Sequence, residues 1–236
     1  MSESGSESDG DQRRIAENLA GVRRDLSAAC AAAGRDPASV RLIGVSKYVD
    51  AATTAMLTAA GCEDLGENRP QLLWQKRESG LIGEDVRWHM IGHVQRNKIR
   101  RMLRGPVMVH SIDSRRVAES IGQESVQAGR VTDGLLEINI SGDAEKTGLS
   151  IADAREVLSA GRIEGLRWRG LMAMASMSGD AADQFGQVAE LRDALERDFD
   201  LSLPELSMGM SGDYAPAIAA GATMVRIGTR LFAGVM

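Results

Sequence analysis

A single lysine at the end of a short apolar run gives the first chemical signal in the sequence. The run Arg41-Leu-Ile-Gly-Val-Ser-Lys47 has the composition of a buried β-strand, and a helix-like segment follows it. An amine at the edge of an apolar interior is partly desolvated, which favours its neutral form, and a neutral amine is a nucleophile towards aldehydes. Lys47 is therefore a candidate Schiff-base lysine. The alternative is a strand-end lysine that extends its ammonium into water.

Two glycine-containing turns give a second signal. The segments Ser207-Met-Gly-Met-Ser-Gly212 and Arg226-Ile-Gly-Thr229 each end a strand-like run. Glycine lets backbone N–H groups approach phosphate oxygens closely, and serine and threonine add hydroxyl donors. One such turn alone is typical of an ordinary loop, whereas two turns after consecutive strands favour a bound phosphate.

One ligand that carries both an aldehyde and a phosphate is pyridoxal 5'-phosphate (PLP). Arg226 would then face the nitrogen of its pyridine ring. Because a guanidinium is effectively always protonated and only donates, it would leave that nitrogen unprotonated and weaken the ring as an electron sink. The residues thus predict a PLP site with restrained carbanion chemistry.

These residues need a scaffold that gathers strand ends, and the chain predicts one. Strand-like runs cover Arg41–Lys47, Cys62–Asn68, Val86–Gly92, Val107–Asp113, Gly134–Ile140, Trp168–Ser176, Glu205–Met210 and Thr223–Thr229, and helix-like runs separate most of them. Eight strands alternating with helices predict a single parallel (β/α)8 TIM barrel, in which functional sites lie at the C-terminal strand ends. The alternative is an open doubly wound sheet, but its Gly-rich turn is absent after the first strand.

The N-terminal region precedes this rhythm. Residues 1–12 contain four acidic residues and no basic one, and we expect them to form a disordered tail. Residues 13–236 then form one PLP-binding barrel domain. It begins with an extra amphipathic helix, which has Ile15, Leu19 and Val22 at helical spacing. We expect this helix to cover the last strand, since only Arg230–Met236 follows.

Charge and composition exclude several other classes. The net charge is −5, and without the first twelve residues it is near neutral, which argues against nucleic-acid binding. The basic run Arg96–Arg104 is interpreted as a solvated helix face, or as a surface that steers phosphorylated ligands or a partner. Two cysteines and no membrane-length apolar run or signal peptide indicate a cytoplasmic protein. The three histidines have no metal-binding pattern, so no metal is expected.

Taken together, the motifs resemble those of the pyridoxal phosphate homeostasis protein family, which is similar to the N-terminal barrel domain of alanine racemase. The resemblance runs from about Arg41 to Gly234. It rests on Gly44-Val-Ser-Lys47, Gly66-Glu-Asn68, Trp88-His-Met-Ile-Gly92, Ser111-Ile-Asp113, Asn139-Ile-Ser141 with Lys146-Thr-Gly-Leu149, Gly170-Leu-Met172, Leu206-Ser-Met-Gly-Met-Ser211 and Val225-Arg-Ile-Gly-Thr229.

The resemblance implies a role for each site residue. Lys47 would hold PLP as a Schiff base, Arg226 would face the ring nitrogen, and Asn68 would lie beside the ring. The phosphate would be bound by Ser207, Gly228, Thr229 and the backbone of Met208. His89, Ser176 and Met210 are further pocket candidates, with Met210 and Met208 otherwise serving as gap-fillers in the core.

The resemblance also implies a regulator or carrier of PLP with no established turnover. The partners would be PLP and apo PLP-dependent enzymes, and the chain would be a monomer. Alanine racemase adds a β-domain with a second catalytic tyrosine, for which this chain has no room. The chain departs from the family pattern at Arg69-Pro70 and at His93, which could alter the rim of the pocket. Two alternatives stay open: a PLP-dependent amino-acid racemase, and a cofactor-free aldolase that uses Lys47 directly.

Overall fold

Eight parallel strands close into a barrel in the computed structural model, which describes residues 3–141, 147–176 and 179–235. The strands are β1 (Arg41–Val45), β2 (Asp64–Glu67), β3 (Arg87–Met90), β4 (Met108–Ile112), β5 (Thr132–Ile138), β6 (Leu166–Ala173), β7 (Glu205–Ser207) and β8 (Met224–Ile227). Closure is made by β1 and β8, where Arg41 lies opposite Met224 and Gly44 opposite Ile227. The predicted (β/α)8 architecture is confirmed, and the open sheet is excluded.

Helices follow or precede the strands in the order that the sequence predicts. They are α1 (Glu3–Ala32), α2 (Ala51–Ala59), α3 (Pro70–Glu78), α4 (Arg96–Met102), α5 (Arg115–Gln127), α6 (Ile151–Ser159), α7 (Ala181–Phe199) and α8 (Tyr214–Ala219). Two helices begin at side-chain N-caps: Asp50 accepts from the Thr53 amide, and Ser150 forms a capping box with Asp153. Such caps satisfy amides that the first helical turn leaves unpaired, and they set where each helix begins.

The N-terminal helix takes the place that a helix after β8 would occupy. It packs against α2 and α8, and Ile15, Leu19 and Val22 are buried along one face. The Asn18 amide donates to the carbonyls of Leu231 and Ala233 at 3.2 and 3.0 Å, which holds the C-terminal segment against α1. The helix therefore covers the segment that follows β8, as expected from its apolar face.

The beginning of α1 differs from the predicted boundary. The helix starts at Glu3, so it includes most of the segment 1–12 that the sequence predicts to be disordered. Composition alone did not reveal that the helix continues through this segment. The Gln12 side chain also donates to the Met56 carbonyl at 3.1 Å, so tertiary contacts reach this segment.

The barrel has an apolar shell and a partly polar interior. The apolar core lies mainly between the strands and the helices, and includes Leu57, Leu73 and Phe185. Several ionisable or polar side chains from different strands are nevertheless buried in the structure: Asp64, His89, His110, Glu205, Ser207 and Arg226. Buried polar groups need partners, and those partners define the candidate site.

Candidate functional site

Lys47 lies two residues beyond the last residue of β1, where the sequence predicts a reactive amine. Its side chain is half-buried, and Nζ lies 4.8 Å from the ring centroid of the neighbouring Tyr48. Among the described residues, this ammonium has no carboxylate partner and no hydrogen bond. An amine without a competing anion at the barrel mouth, the end where the strands finish, is accessible to an electrophile.

A buried ion pair holds the backbone that leads into Lys47. The Lys76 Nζ atom donates to the Ser46 carbonyl at 2.6 Å and to Glu67 Oε1 at 2.6 Å, and the Ser46 hydroxyl donates to the same oxygen at 2.7 Å. Lys76 and Glu67 are almost fully buried, and Glu67 Oε2 has no partner among the described residues. A buried pair repays its desolvation only with good geometry, so this cluster fixes β1 against β2 and α3 more than it adds stability.

Arg226 is buried in β8 and joins three strands. Its Nη1 donates to the Ser207 carbonyl and to Ser207 Oγ, both at 2.7 Å, and its Nη2 donates to the Ala173 carbonyl at 3.0 Å. Burial lowers the pKa of this guanidinium to about 10, so it stays protonated near neutral pH. Its position is rigid, and Nε–H and one Nη2 proton remain for a ligand.

A chain of hydrogen bonds leads away from Arg226 through the barrel. Ser207 Oγ lies 2.8 Å from His110 Nδ1, His110 Nε2 lies 2.9 Å from His89 Nδ1, and His89 Nε2 lies 2.9 Å from Asp64 Oδ1. Burial, followed by the neighbouring His89 and Arg226, holds the pKa of His110 well below its ordinary value, so this ring is neutral. Because Ser207 Oγ accepts from Arg226, its own proton is donated to His110 Nδ1. His110 Nε2–H then donates to His89 Nδ1, and His89 Nε2–H donates to Asp64 Oδ1.

Two of the predicted pocket residues, His89 and Ser207, lie inside this hydrogen-bond chain. His89 lies opposite Gly66 and Met108, below the mouth, and both of its ring nitrogens are engaged. The Ser207 hydroxyl is fully buried behind Arg226 and engaged on both sides. Both side chains are buried and already engaged by hydrogen bonds within the protein.

The backbone of the turn after β7 also differs in part from the prediction. The Met208 amide, predicted to bind phosphate, donates to the Met224 carbonyl at 3.1 Å and so continues the sheet. The Met210 amide donates to Asp213 Oδ1 at 2.6 Å, and the Met210 side chain is partly exposed. Met208 itself is a buried core residue. These two amides are therefore not available to a ligand.

Other amides of the two turns are available. In the part of the chain that the structure describes, the N–H groups of Gly209, Gly228 and Thr229 donate to no protein acceptor. Gly209 has φ +91°, and an added Cβ would lie 2.6 Å from the Ala217 Cβ atom, so only glycine fits there. Gly228 lies against β1, since its Cβ would be 3.3 Å from the Val45 carbonyl. We call Gly209, Gly228 and Thr229 the anion cradle.

Three more side chains belong to the upper part of the barrel. Asn68 follows β2, and its buried Oδ1 has no partner among the described residues. Ser176 follows β6 and is tied to α7: its amide donates to Gln184 Oε1 at 2.7 Å. Glu137 in β5 is buried and accepts from the Thr147 hydroxyl at 2.7 Å, and burial raises its pKa. Lys146, which belongs to one of the family motifs, lies outside the described residues.

The donor set fits PLP. The free Lys47 amine suits the aldehyde, the cradle amides suit the phosphate, and Arg226 supplies a fixed donor for the ring nitrogen. The orphaned Asn68 Oδ1 leaves one further polar atom for a bound group. Within the described residues, no cluster of three or more histidine, cysteine, aspartate or glutamate side chains could hold a metal ion.

Comparison with known proteins identifies the family. No protein-family model matches the chain. A pyridoxal phosphate homeostasis protein of Pseudomonas aeruginosa is 40% identical over 219 residues, which covers 92% of this chain and 94% of the relative. The chain belongs to the pyridoxal phosphate homeostasis protein family. The resemblance drawn from the motifs is confirmed.

Solved structures agree with this family and its fold. PipY of Synechococcus elongatus, solved with PLP bound, is 36% identical and aligns with a TM-score of 0.80 over 92% of this chain and 99% of PipY. An alanine racemase of Clostridium difficile aligns with a TM-score of 0.68 over 94% of this chain and 59% of the racemase. It is 13% identical, so that likeness concerns the barrel fold alone.

Several site residues of this family member were missed by the sequence analysis. His110 and Glu137 lie in the middle of apolar strands, where nothing in the sequence indicates which neighbour they meet. Lys76 had a weak signal, because it follows Leu73 by three residues on the buried face of α3. A lysine on the apolar face of an amphipathic helix suggests a buried partner, although the pattern does not identify Glu67.

Proposed function

We propose that this chain binds PLP at the barrel mouth and serves in intracellular PLP homeostasis. The observation that carries the proposal is the pairing of the free Lys47 amine with the free Gly228 and Thr229 amides on neighbouring strands. PipY, whose structure contains PLP, and relatives named for pyridoxal phosphate support it. Lys47 would hold the cofactor covalently, and the anion cradle with the Thr229 hydroxyl would hold its phosphate.

The surrounding residues favour storage over turnover. Bound PLP would supply an aldehyde and an electron-withdrawing ring. Arg226 is fixed by Ser207 and Ala173 and stays protonated, so it would donate a hydrogen bond to the ring nitrogen and leave that nitrogen unprotonated. Asn68 would position the ring. The relatives are named as homeostasis proteins, and we propose that this chain likewise holds PLP without significant catalysis.

The remaining assignments belong to the same proposal. We place the protein in the cytoplasm as a monomer that passes PLP to apo PLP-dependent enzymes. No helix among the described residues has both the length and the apolar character to cross a membrane. Delivery is tested by mixing the PLP-loaded chain with an apo PLP-dependent enzyme in the presence of a reagent that traps free PLP. We expect the activity of that enzyme to recover faster than when the same concentration of free PLP is added with the same reagent.

The cradle is tested by a pair of glycine substitutions in one turn. Gly209→Ala forces a side chain into φ +91° and against Ala217, whereas Gly212→Ala meets nothing within 4 Å and has no positive φ. We expect Gly209→Ala to weaken PLP binding by about tenfold or more and Gly212→Ala to leave it nearly unchanged. Equilibrium dialysis measures both, and equal affinities would contradict a phosphate site in this turn.

A racemase remains the second candidate because Tyr48 lies beside the Lys47 amine. Exchange of the α-hydrogen of alanine in deuterated water measures its activity. We expect exchange no faster than with free PLP at the same concentration. Rates well above that background, lost in Tyr48→Phe, would favour catalysis. A visible aldimine absorption band in the purified protein that is lost in Lys47→Ala would rule out a PLP-independent aldolase.

A further inference from the structure

The structure contains a second polar cleft, at the end of the barrel opposite to Lys47. It has a volume of about 900 Å³ and lies where β1, β3, β4 and β5 begin. The loops before β3, β4 and β5 complete its walls. Nothing in the proposed PLP site uses these residues, apart from His89, which lines the cleft at the lower end of the hydrogen-bond chain.

Four arginines line this cleft, and two of them are neutralised. Arg41 forms an ion pair with Glu205, and Arg87 binds Asp64 Oδ2 at 2.7 Å and Glu63 at 2.9 Å. The other two, Arg77 and Arg130, have no carboxylate partner among the described residues. Two uncompensated guanidinium groups therefore share one cleft.

Both of these arginines also have a buried donor without an acceptor. Arg77 Nη2 donates to the Met102 carbonyl at 2.9 Å, but Nη1 is buried without a partner, and Arg130 Nε is also buried without one. Burial lowers the pKa of Arg77, and the nearby positive charge of Arg130 lowers it further, against the opposing effect of Glu78. A buried donor without an acceptor is unfavourable, and more so when it is charged. A bound anion would compensate the charge of both guanidinium groups.

The carboxylates that line the cleft do not fill this role. Asp133 is paired with Arg167 at 2.5 Å. Glu84 and Asp85 are exposed and form no ion pair in the described part of the chain. We propose that Arg77 and Arg130 form a second ligand site, for a small molecule that carries a phosphate or pyrophosphate group. Two guanidinium forks match the charge and the planar donor geometry that such dianions require.

The test titrates pyrophosphate into the full-length chain by isothermal titration calorimetry at constant ionic strength. One series uses the protein as purified, and the other uses protein with one equivalent of PLP fixed by borohydride reduction, so that the anion cradle is occupied. We expect binding in both series. Arg77→Gln and Arg130→Gln should each weaken it by about tenfold or more. Arg155→Gln, an exposed arginine paired with Asp198, should leave it unchanged.

Two further measurements keep the test decisive. Circular dichroism checks that each variant folds. The double variant Glu84→Gln with Asp85→Asn removes two negative charges from the cleft and should bind pyrophosphate more tightly, which tests the site even if Arg77→Gln does not fold. Pyrophosphate affinity that is the same in wild type, Arg77→Gln and Arg130→Gln would overturn the proposal, as would no binding in the wild type. If PLP does not bind at Lys47, the first series still reports on the arginine cleft, so the two sites can fail separately.

Discussion

Ser207 illustrates how one buried hydroxyl sets the state of its neighbours. Its oxygen accepts from Arg226 at 2.7 Å and lies 2.8 Å from His110 Nδ1, so its single proton is donated to His110. That choice assigns the tautomer of His110 and, through it, of His89. A side chain that the motifs associate with phosphate therefore acts in this structure as the support for the arginine that would face the cofactor ring.

The hydrogen-bond geometry of Arg226 predicts that lysine cannot replace it. Lysine keeps the charge but cannot reach Ser207 and Ala173 from one planar group, which leaves buried carbonyls without donors. Arg226→Lys should lower the free energy of unfolding by about 1–3 kcal/mol, measured by urea denaturation. The matched change Arg230→Lys, at an exposed arginine paired with Asp25, should cost less than about 1 kcal/mol. Equal losses would contradict a specific role for Arg226.

The neutral state of His110 predicts a pH dependence of stability. Its pKa is lowered in the folded protein, so the unfolded chain binds more protons below about pH 6.5 and stability falls as the pH decreases. Burial opposes a low pKa at Asp64, but hydrogen bonds from Arg87 and His89 outweigh it, so this carboxylate adds a second loss below about pH 4.

Urea denaturation between pH 5 and 7 separates the contribution of His110. The wild type should lose up to about 1.4 kcal/mol per pH unit more than His110→Asn. His93→Asn is the control, because His93 is exposed and contacts Asp113 at the protein surface. A His110→Asn slope identical to that of the wild type would contradict a lowered pKa of His110 in the folded protein.

At the scale of elements, the strands and helices were predictable and their internal register was not. Runs such as Arg41–Lys47 and Glu205–Met210 contain β1 and β7, because apolar periodicity is a local property of the chain, although the strands end earlier, at Val45 and Ser207. By contrast, the roles of His89 and Met208 depend on which strand lies alongside. The Met208 amide donates to Met224, and His89 lies opposite Gly66, and neither contact has a local signal.

The buried pair between α3 and β2 predicts strong coupling between two elements. Lys76→Met leaves Glu67 buried without its cation and should cost about 3–5 kcal/mol of unfolding free energy. The double variant Lys76→Met with Glu67→Met should lose much less than the sum of the single changes. A urea-denaturation double-mutant cycle measures this difference. Additive losses would show that the pair does not act as a unit.

At the scale of the molecule, the N-terminal helix forms part of the outer helical layer of the barrel and packs beside the C-terminal segment. Helix α1 packs between α2 and α8, and its buried face includes Leu19. The sequence indicated an amphipathic N-terminal helix because Ile15, Leu19 and Val22 recur at helical spacing. The acidic composition of residues 1–12 predicted a disordered tail, whereas α1 begins at Glu3. Whether a helix continues through such a segment depends on the neighbouring helical turns and on tertiary contacts, which composition does not include.

This placement predicts that α1 is part of the cooperative fold. Leu19→Ala should lower the unfolding free energy by about 2–5 kcal/mol, because it opens a cavity between α1 and the barrel. The exposed Leu81 provides the control, and Leu81→Ala should change it by less than about 0.5 kcal/mol. Chemical denaturation should show one transition in both. A separate early transition for Leu19→Ala would mean that α1 unfolds independently.

The central claim is that Lys47 is the residue that holds PLP. The sequence has four lysines, Lys47, Lys76, Lys98 and Lys146, which makes the attachment site easy to assign. The deciding measurement is peptide mass spectrometry after incubation with one equivalent of PLP and borohydride reduction. We predict a phosphopyridoxyl group on the peptide that contains Lys47, and none on buried Lys76 or on Lys98. Wild-type protein with no adduct on Lys47, or with the same adduct distributed over the other lysines, would contradict the account.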